Sequence, residues 1–227
     1  MENMHETLRT VRERLRWAMN GVLSASMREK GVVYKLNFGV PYPEIKEIAS
    51  HYEPSLELAA ALWKEDIREF KVLATLLCPS ETFPIEGARR WVSECPYLEI
   101  AEHCAKNLFV RLPYMEQFTL ELIQDAVTPW ARTIAFLTWT DHFRRGNELS
   151  VEGTREFLAK TFLVLGKDTS LNEKHACVQA LKFYGRTSEE KAVDILSRLE
   201  RLIEKKEHDQ RLQAIYSDLK FEFEYYR

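Results

Sequence analysis

The chain has 227 residues, 45% of them hydrophobic and 30% charged, with a formal net charge of -3. This supports a sizeable core and excludes a disordered chain, and the near-balanced charge argues against a protein that coats nucleic acid non-specifically. Eight glycines and eight prolines are too few for an all-β chain with many tight turns, and no apolar run approaches the roughly 20 residues that span a bilayer.

Along the chain, Leu8, Val11, Leu15, Met19, Val22 and Leu23 recur at helical spacing and predict one long helix over 5–29. The N-terminal stretch is charged and has no apolar core, so no secretory signal is expected and the protein reads as cytoplasmic. Residues 30–42 break the period and read as an ordered loop, after which Pro43 suits the first turn of a helix. Helices are then expected at 43–52, 55–65, 67–78, 84–95, 97–112, 114–127, 129–145, 151–166, 171–185, 188–206 and 207–225. Thr128 before Pro129, Ser150, and Thr187 with Glu190 are the expected N-terminal caps. Gly146, Gly166 and Gly185 suit helix ends. The closing FEFEYYR alternates briefly, but the preceding pattern favours helix over strand.

A second periodicity is longer. Lys71/Ala74, Glu102/Ala105, Arg132/Ala135, Lys174/Cys177 and Arg211/Ala214 each set a charged residue three places before a small one, once in every 30 to 42 residues. A unit of that length, helical throughout, is the mark of stacked helical hairpins. The expected fold is all-α, a HEAT-like repeat solenoid of about 11–13 helices in one domain over 1–227. Its repeats cover about 43–206, and a terminal helix at about 207–225 caps it. If the register holds, the five charged residues form one row on a concave face, with Glu102 held among four bases and its ionised form favoured by them.

Common catalytic signatures are absent: no glycine-rich phosphate loop, no G-x-S-x-G and no H-E-x-x-H. Glu99 and His103 lie four apart but lack an evident third ligand, so neither a metal nor a cofactor is expected. Cys78, Cys95, Cys104 and Cys177 lie in or beside apolar helical stretches and read as buried free thiols, which fits a reducing compartment. Trp63, Trp91, Trp130 and Trp139 read chiefly as core, with one or two available to stack on a base.

Several segments resemble bacterial DNA alkylation repair enzymes of the AlkD type. LAAALWKEDIREFKVLATLL (58–77) is similar to that family's L-W…R-E-x-[KR]-x-L-A stretch, and WARTIAFL (130–137) to its arginine-bearing helix. NFGVPYPEIKEIA (37–49) resembles the entry to its first repeat, and ACVQALKFYGR (176–186) its late helix. The resemblance implies HEAT-like repeats with a positively charged cleft for duplex DNA. It also implies N-glycosylase chemistry on cationic N3- and N7-alkylpurines. In that chemistry a carboxylate and aromatic faces stabilise the charge that develops as the glycosidic bond breaks, and an arginine holds the phosphate. By that resemblance Glu102 stands for the catalytic aspartate and Arg132 for the cleft arginine, while Leu98 and Gln179 replace the two cleft tryptophans.

The expectation is therefore a monomeric DNA-binding protein with weakened or altered glycosylase activity through Glu102. Arg132, Lys71, Lys174 and Arg211 are its expected phosphate contacts, and Trp91, Tyr97 or Trp130 its replacement aromatics. The alternative is a non-catalytic helical scaffold for a protein partner or structured nucleic acid on the same surface.

Overall fold

Helix-forming runs separated by short polar breaks give thirteen α-helices among the described residues, 4–125, 127–206 and 209–225 of a computed structural model. They are α1 (Met4–Trp17), α2 (Gly21–Glu29), α3 (Tyr42–Ala49), α4 (Leu56–Lys64), α5 (Arg68–Leu77), α6 (Ile85–Ser93) and α7 (Leu98–His103). The series continues with α8 (Met115–Gln124), α9 (Ala131–Arg144), α10 (Val151–Leu165), α11 (Leu171–Gly185), α12 (Glu189–Lys205) and α13 (Gln210–Tyr225). No strand forms among the described residues; one isolated bridge joins Leu36 and Ile67. The fold is all-α and HEAT-like. No helix among the described residues is long and apolar enough to cross a membrane.

The chain divides into two compact units. The first runs to Ala88 and takes in Asn107–Pro113; the second comprises Arg89–Lys106 and the chain from Tyr114 onward.

In the first unit the expected single helix over 5–29 is two. Chain geometry turns at Asn20, whose side-chain oxygen accepts from the Leu23 N–H at 3.0 Å and caps α2. The Asn20 N–H donates to the Phe38 carbonyl at 2.9 Å, and Ser24 Oγ donates to the Asn37 carbonyl at 2.8 Å. Gly39, at φ +70°, lies so close that a Cβ there would sit 2.2 Å from the Asn20 carbonyl oxygen. The break leaves Met19 and Val22, expected on the apolar face, exposed.

The loop so docked is held from below by α5. Glu69, fully buried, accepts from the Phe38 and Val40 N–H groups, each at 3.2 Å. Buried Arg68 donates from Nη1 to Glu69 Oε1 and to the Val40 carbonyl, both at 2.9 Å. Two adjacent charged residues therefore satisfy backbone groups that an apolar pocket would leave stranded. Asn107 plays a similar part, donating to Thr75 Oγ1 at 2.9 Å and accepting from Tyr42 Oη at 2.7 Å. The helix expected over 97–112 is not uniform: α7 gives way to a π-helical turn at Cys104–Leu108 and a 3-10 turn at Phe109–Arg111.

The second unit is built of two layers of helices. Within hairpins α8 packs on α9, α10 on α11 and α12 on α13. Across hairpins α9 lies against α7 and α11, and α11 against α13, forming one layer, while α8, α10 and α12 form the other. A ring cluster of Phe136, Trp139, Phe143, Phe157 and Tyr184 fills the space between them, with centroid separations of 5.1 to 5.7 Å. Glu222 of α13 is buried and paired with Lys182 of α11 at 2.7 Å and with Arg186, the residue that caps the C-terminal end of α11. Gly185 is needed for close packing, because a Cβ would meet the Phe223 ring at 2.3 Å.

Ser150 caps α10 as expected, accepting from the Gly153 N–H at 2.9 Å. Two other caps are corrected. Asp125, not Thr128, orders the turn before α9, accepting from Val127 and Thr128 N–H groups at 2.8 and 3.0 Å. Ser188 rather than Thr187 caps α12. The closing aromatic run is helical through Tyr225.

All four cysteines are free and buried. Burial pushes the Cys78 thiol up to about 12 and the Cys177 thiol well above its ordinary value. A thiol so raised stays protonated and unreactive at neutral pH. The native protein is expected to react slowly with a thiol reagent at pH 8 and to titrate four thiols in urea. Rapid labelling before unfolding would overturn this. Glu69→Ala is expected to cost about 3–5 kcal/mol in urea denaturation, because it strands the Arg68 charge and two buried N–H groups.

Candidate nucleic-acid interface

The five charged positions of the long register fall on alternate helices: Lys71 on α5, Glu102 on α7, Arg132 on α9, Lys174 on α11 and Arg211 on α13. Their small partners Ala74, Ala105, Ala135 and Cys177 are fully buried, as close stacking requires. Ala214 is exposed, so the register stops short of α13.

Lys71 leaves the expected row of phosphate contacts. It is buried in the first unit, where its ammonium donates to the Trp63 carbonyl at 2.7 Å and lies 4.7 Å from the centre of the Trp63 ring. Burial of an ammonium demands such partners, and meeting them withdraws the charge from solvent.

In the second unit Arg132 reaches from the first turn of α9 to Glu173 in the first turn of α11. Arg132 Nε lies 2.9 Å from Glu173 Oε1, and Nη2 donates to Oε2 at 3.2 Å. The Arg132 side chain stays 34% exposed against 7% for Glu173. The fork geometry fixes the guanidinium plane while leaving one edge in water. Hydrogen bonds from Thr128 and Val127 hold the Asp125 carboxyl below its ordinary value, and the nearby Arg132 charge adds a smaller push the same way. Arg132 is thus paired with Glu173 and not with Glu102.

Glu102 lies on the exposed side of α7. The surrounding protein nonetheless strips part of its hydration, and Glu99 one turn earlier adds like charge; both push its carboxyl above the ordinary carboxylate value. His175 of α11 and Lys106 oppose the shift without cancelling it. This reverses the expectation that surrounding bases favour the ionised form. Lys174 is half-buried, with Nζ 3.5 Å from the exposed Asp168 carboxylate. Arg211 is exposed at the start of α13.

Of the aromatics weighed as replacements, Trp91 is buried and belongs to the core. Tyr97 and Trp130 are half-buried at the N-cap positions of α7 and α9. Leu98 and Gln179, expected from the resemblance at the places of the family's cleft tryptophans, are also half-buried. No group of three or more His, Cys, Asp or Glu residues among the described residues is placed to hold a metal, so Glu99 and His103 gain no third ligand there. Sequence reasoning missed Glu173 and His175 as site residues; both flank Lys174, and the only signal was their place on its helix.

The profile of the family described as "DNA alkylation repair enzyme" matches residues 11–216. A solved structure titled "A new family of proteins related to the HEAT-like repeat DNA glycosylases with affinity for branched DNA structures" superposes with a TM-score of 0.73. The identity is 12%, over 86% of this chain and 82% of that one. No curated protein sequence matches the chain.

Arg132→Ala strands the Glu173 carboxylate. With one partner a third exposed, the expected loss is about 1–3 kcal/mol in urea unfolding. The Arg132→Gln/Glu173→Gln double variant is expected to recover most of it. A double-mutant cycle showing no coupling would remove the pair from the account.

Proposed function

The chain belongs to the DNA alkylation repair enzyme family, and from that premise we propose that it binds DNA on the α7–α9–α11 layer of its second unit. Arg132 holds a backbone phosphate there, and Glu102 supplies the one carboxylate at the point of chemistry. The observation that carries this reading is the pairing of opposite designs on neighbouring helices. One is a guanidinium fixed by Glu173 with an edge in water; the other is an exposed carboxyl whose hydration is already reduced. The first suits a permanent anion, because an oriented guanidinium loses little freedom when phosphate arrives. The second suits a transient cation, because a poorly hydrated carboxylate gains more from nearby positive charge than a fully hydrated one does.

An alkylated purine is such a cation. When its glycosidic bond breaks, the electron pair leaves with the base, which becomes neutral, and positive charge passes to the sugar. Water then adds to the sugar carbon and gives up a proton. Ionised Glu102 stabilises the sugar cation. Leu98 and Gln179 offer no π face at the positions where the family places tryptophan, so base release is slow and DNA binding is the stronger activity. The neighbour described by its affinity for branched DNA extends the proposed substrate from duplexes to junctions.

Fluorescence anisotropy with a plain duplex and a four-way junction tests the binding. Affinity is expected to fall about tenfold or more between 50 and 200 mM salt and to be higher for the junction. Salt-independent or absent binding would overturn the reading. Release of free base from DNA carrying 7-methylguanine tests the chemistry. It should exceed that of Glu102→Gln, and equal release by the two proteins removes Glu102 from catalysis.

The raised Glu102 carboxyl sets the pH dependence. Glu102 holds its proton to a higher pH than an ordinary carboxyl, and only the ionised form stabilises a cation. Base release is therefore expected to rise as pH climbs through that raised value. DNA affinity runs the opposite way, since the same ionisation repels phosphate. Glu102→Gln should bind duplex DNA a few-fold more tightly at pH 7.5 and lose that advantage as acid protonates the wild-type carboxyl.

A further inference from the structure

Lys174 and Arg211, read from the sequence as members of one row with Arg132, take part in a separate feature. They line a cleft of about 310 Å³ in the second unit, between the end of α10 with the residues just after it and the start of α13. Lys167 and Lys206 line it too, so four cations face one concavity, opposed by the carboxylates of Asp168 and Asp209.

The two acids are engaged in different ways. Asp209 Oδ1 accepts from the Arg211 N–H at 2.8 Å and closes the first turn of α13, so it is held in place as a cap. Asp168 lies 3.5 Å from Lys174 Nζ, but its side chain is 97% exposed, leaving it free to swing into solvent. No carboxylate among the described residues forms an ion pair with Lys167, Lys206 or Arg211, although the chain carries 35 acidic residues against 32 basic ones. In an acidic protein, three cations gathered in one cleft without a carboxylate partner among the described residues are not the average surface.

We propose that this cleft is a second phosphate seat for nucleic acid, with Lys167, Lys206 and Arg211 as the binding groups and Lys174 released to them when Asp168 turns away. The proposal rests on the DNA-binding reading above and adds a contact that the Glu102 and Arg132 positions do not supply. The competing role for Lys167 and Lys206 is purely structural. They follow the C-terminal ends of α10 and α12, where a cation offsets the helix dipole.

The test is Lys167→Ala/Lys206→Ala, two exposed positions, in the full chain, against a duplex with 5′-hydroxyl ends, the same duplex with 5′-phosphates, and inorganic phosphate as competitor. Each lost phosphate contact lowers the slope of log affinity on log salt by about 0.9, so the variant is expected to bind with a slope shallower by about 1–2 and an affinity about tenfold lower near 100 mM salt. An equal loss on both duplexes identifies an internal phosphodiester as the occupant. Loss confined to the 5′-phosphorylated duplex, with competition by inorganic phosphate, identifies a terminal phosphate, and either result supports the seat. Unchanged slope and affinity, with only a lowered Tm, overturns it in favour of the dipole role while leaving the Arg132 reading intact. Wild-type protein that fails to bind DNA at 50 mM salt removes both.

Discussion

Close stacking of helices depends on what stands where they touch. Interaxial distances of about 8–10 Å depend on the side chains at the contact, and Ala74 of α5, Ala105 just past α7, Ala135 of α9 and Cys177 of α11, all fully buried, are the small residues that favour the near end of that range. A residue three places earlier lies about 60° round the helix from such a position. It therefore sits on the shoulder of the packed face, at the border with solvent, which is where a charged group can reach water while its stem covers apolar surface. The charge-then-small register is thus a by-product of stacking before it is a binding device. Among the described residues α13 packs on α12 and α11, and its Ala214 is exposed, so the demand lapses there.

That origin explains why the charged positions share a location in their hairpins and yet differ in fate. Where neighbouring chain closes over the shoulder, as at Lys71, the cation must find internal partners and takes the Trp63 carbonyl and ring. Where a buried acid lies within reach on the next helix, as at Arg132, the cation is fixed but half open. Where the nearest charge is a like one, as at Glu102, the carboxyl is made harder to ionise. One spacing in the sequence produces three electrostatic environments, and the differences come from the neighbouring elements.

This marks what was legible in the chain. Helical periodicity locates nearly every helix, because burial of one face imposes it locally, and the family motifs lead to the correct fold. The break between α1 and α2 escapes because the apolar period runs on through Met19, Val22 and Leu23; the Asn20-Gly21 pair was the local sign of a turn, and its reason lies in the docking of Phe38 and Gly39. The partner of Arg132 stands 41 residues away on another helix, and no local pattern announces it. The Arg68–Glu69 pair reads as ordinary helix surface until the loop it holds is seen to carry two N–H groups in need of an acceptor.

The π-helical turn at Cys104–Leu108 follows directly on α7, the helix that carries Glu102. Such a turn bonds one residue further along than the α-helical spacing, and single π turns of this kind are frequent at functional sites. Glu102 precedes it, whereas Asn107, bound to Tyr42 and Thr75, lies within it. Regular α-helical winding steps each residue about 100° round the axis, and the wider turn departs from that step. The acid of the proposed site therefore stands in the last regular turn of its helix, and the α-helical register that places it does not carry through to Asn107.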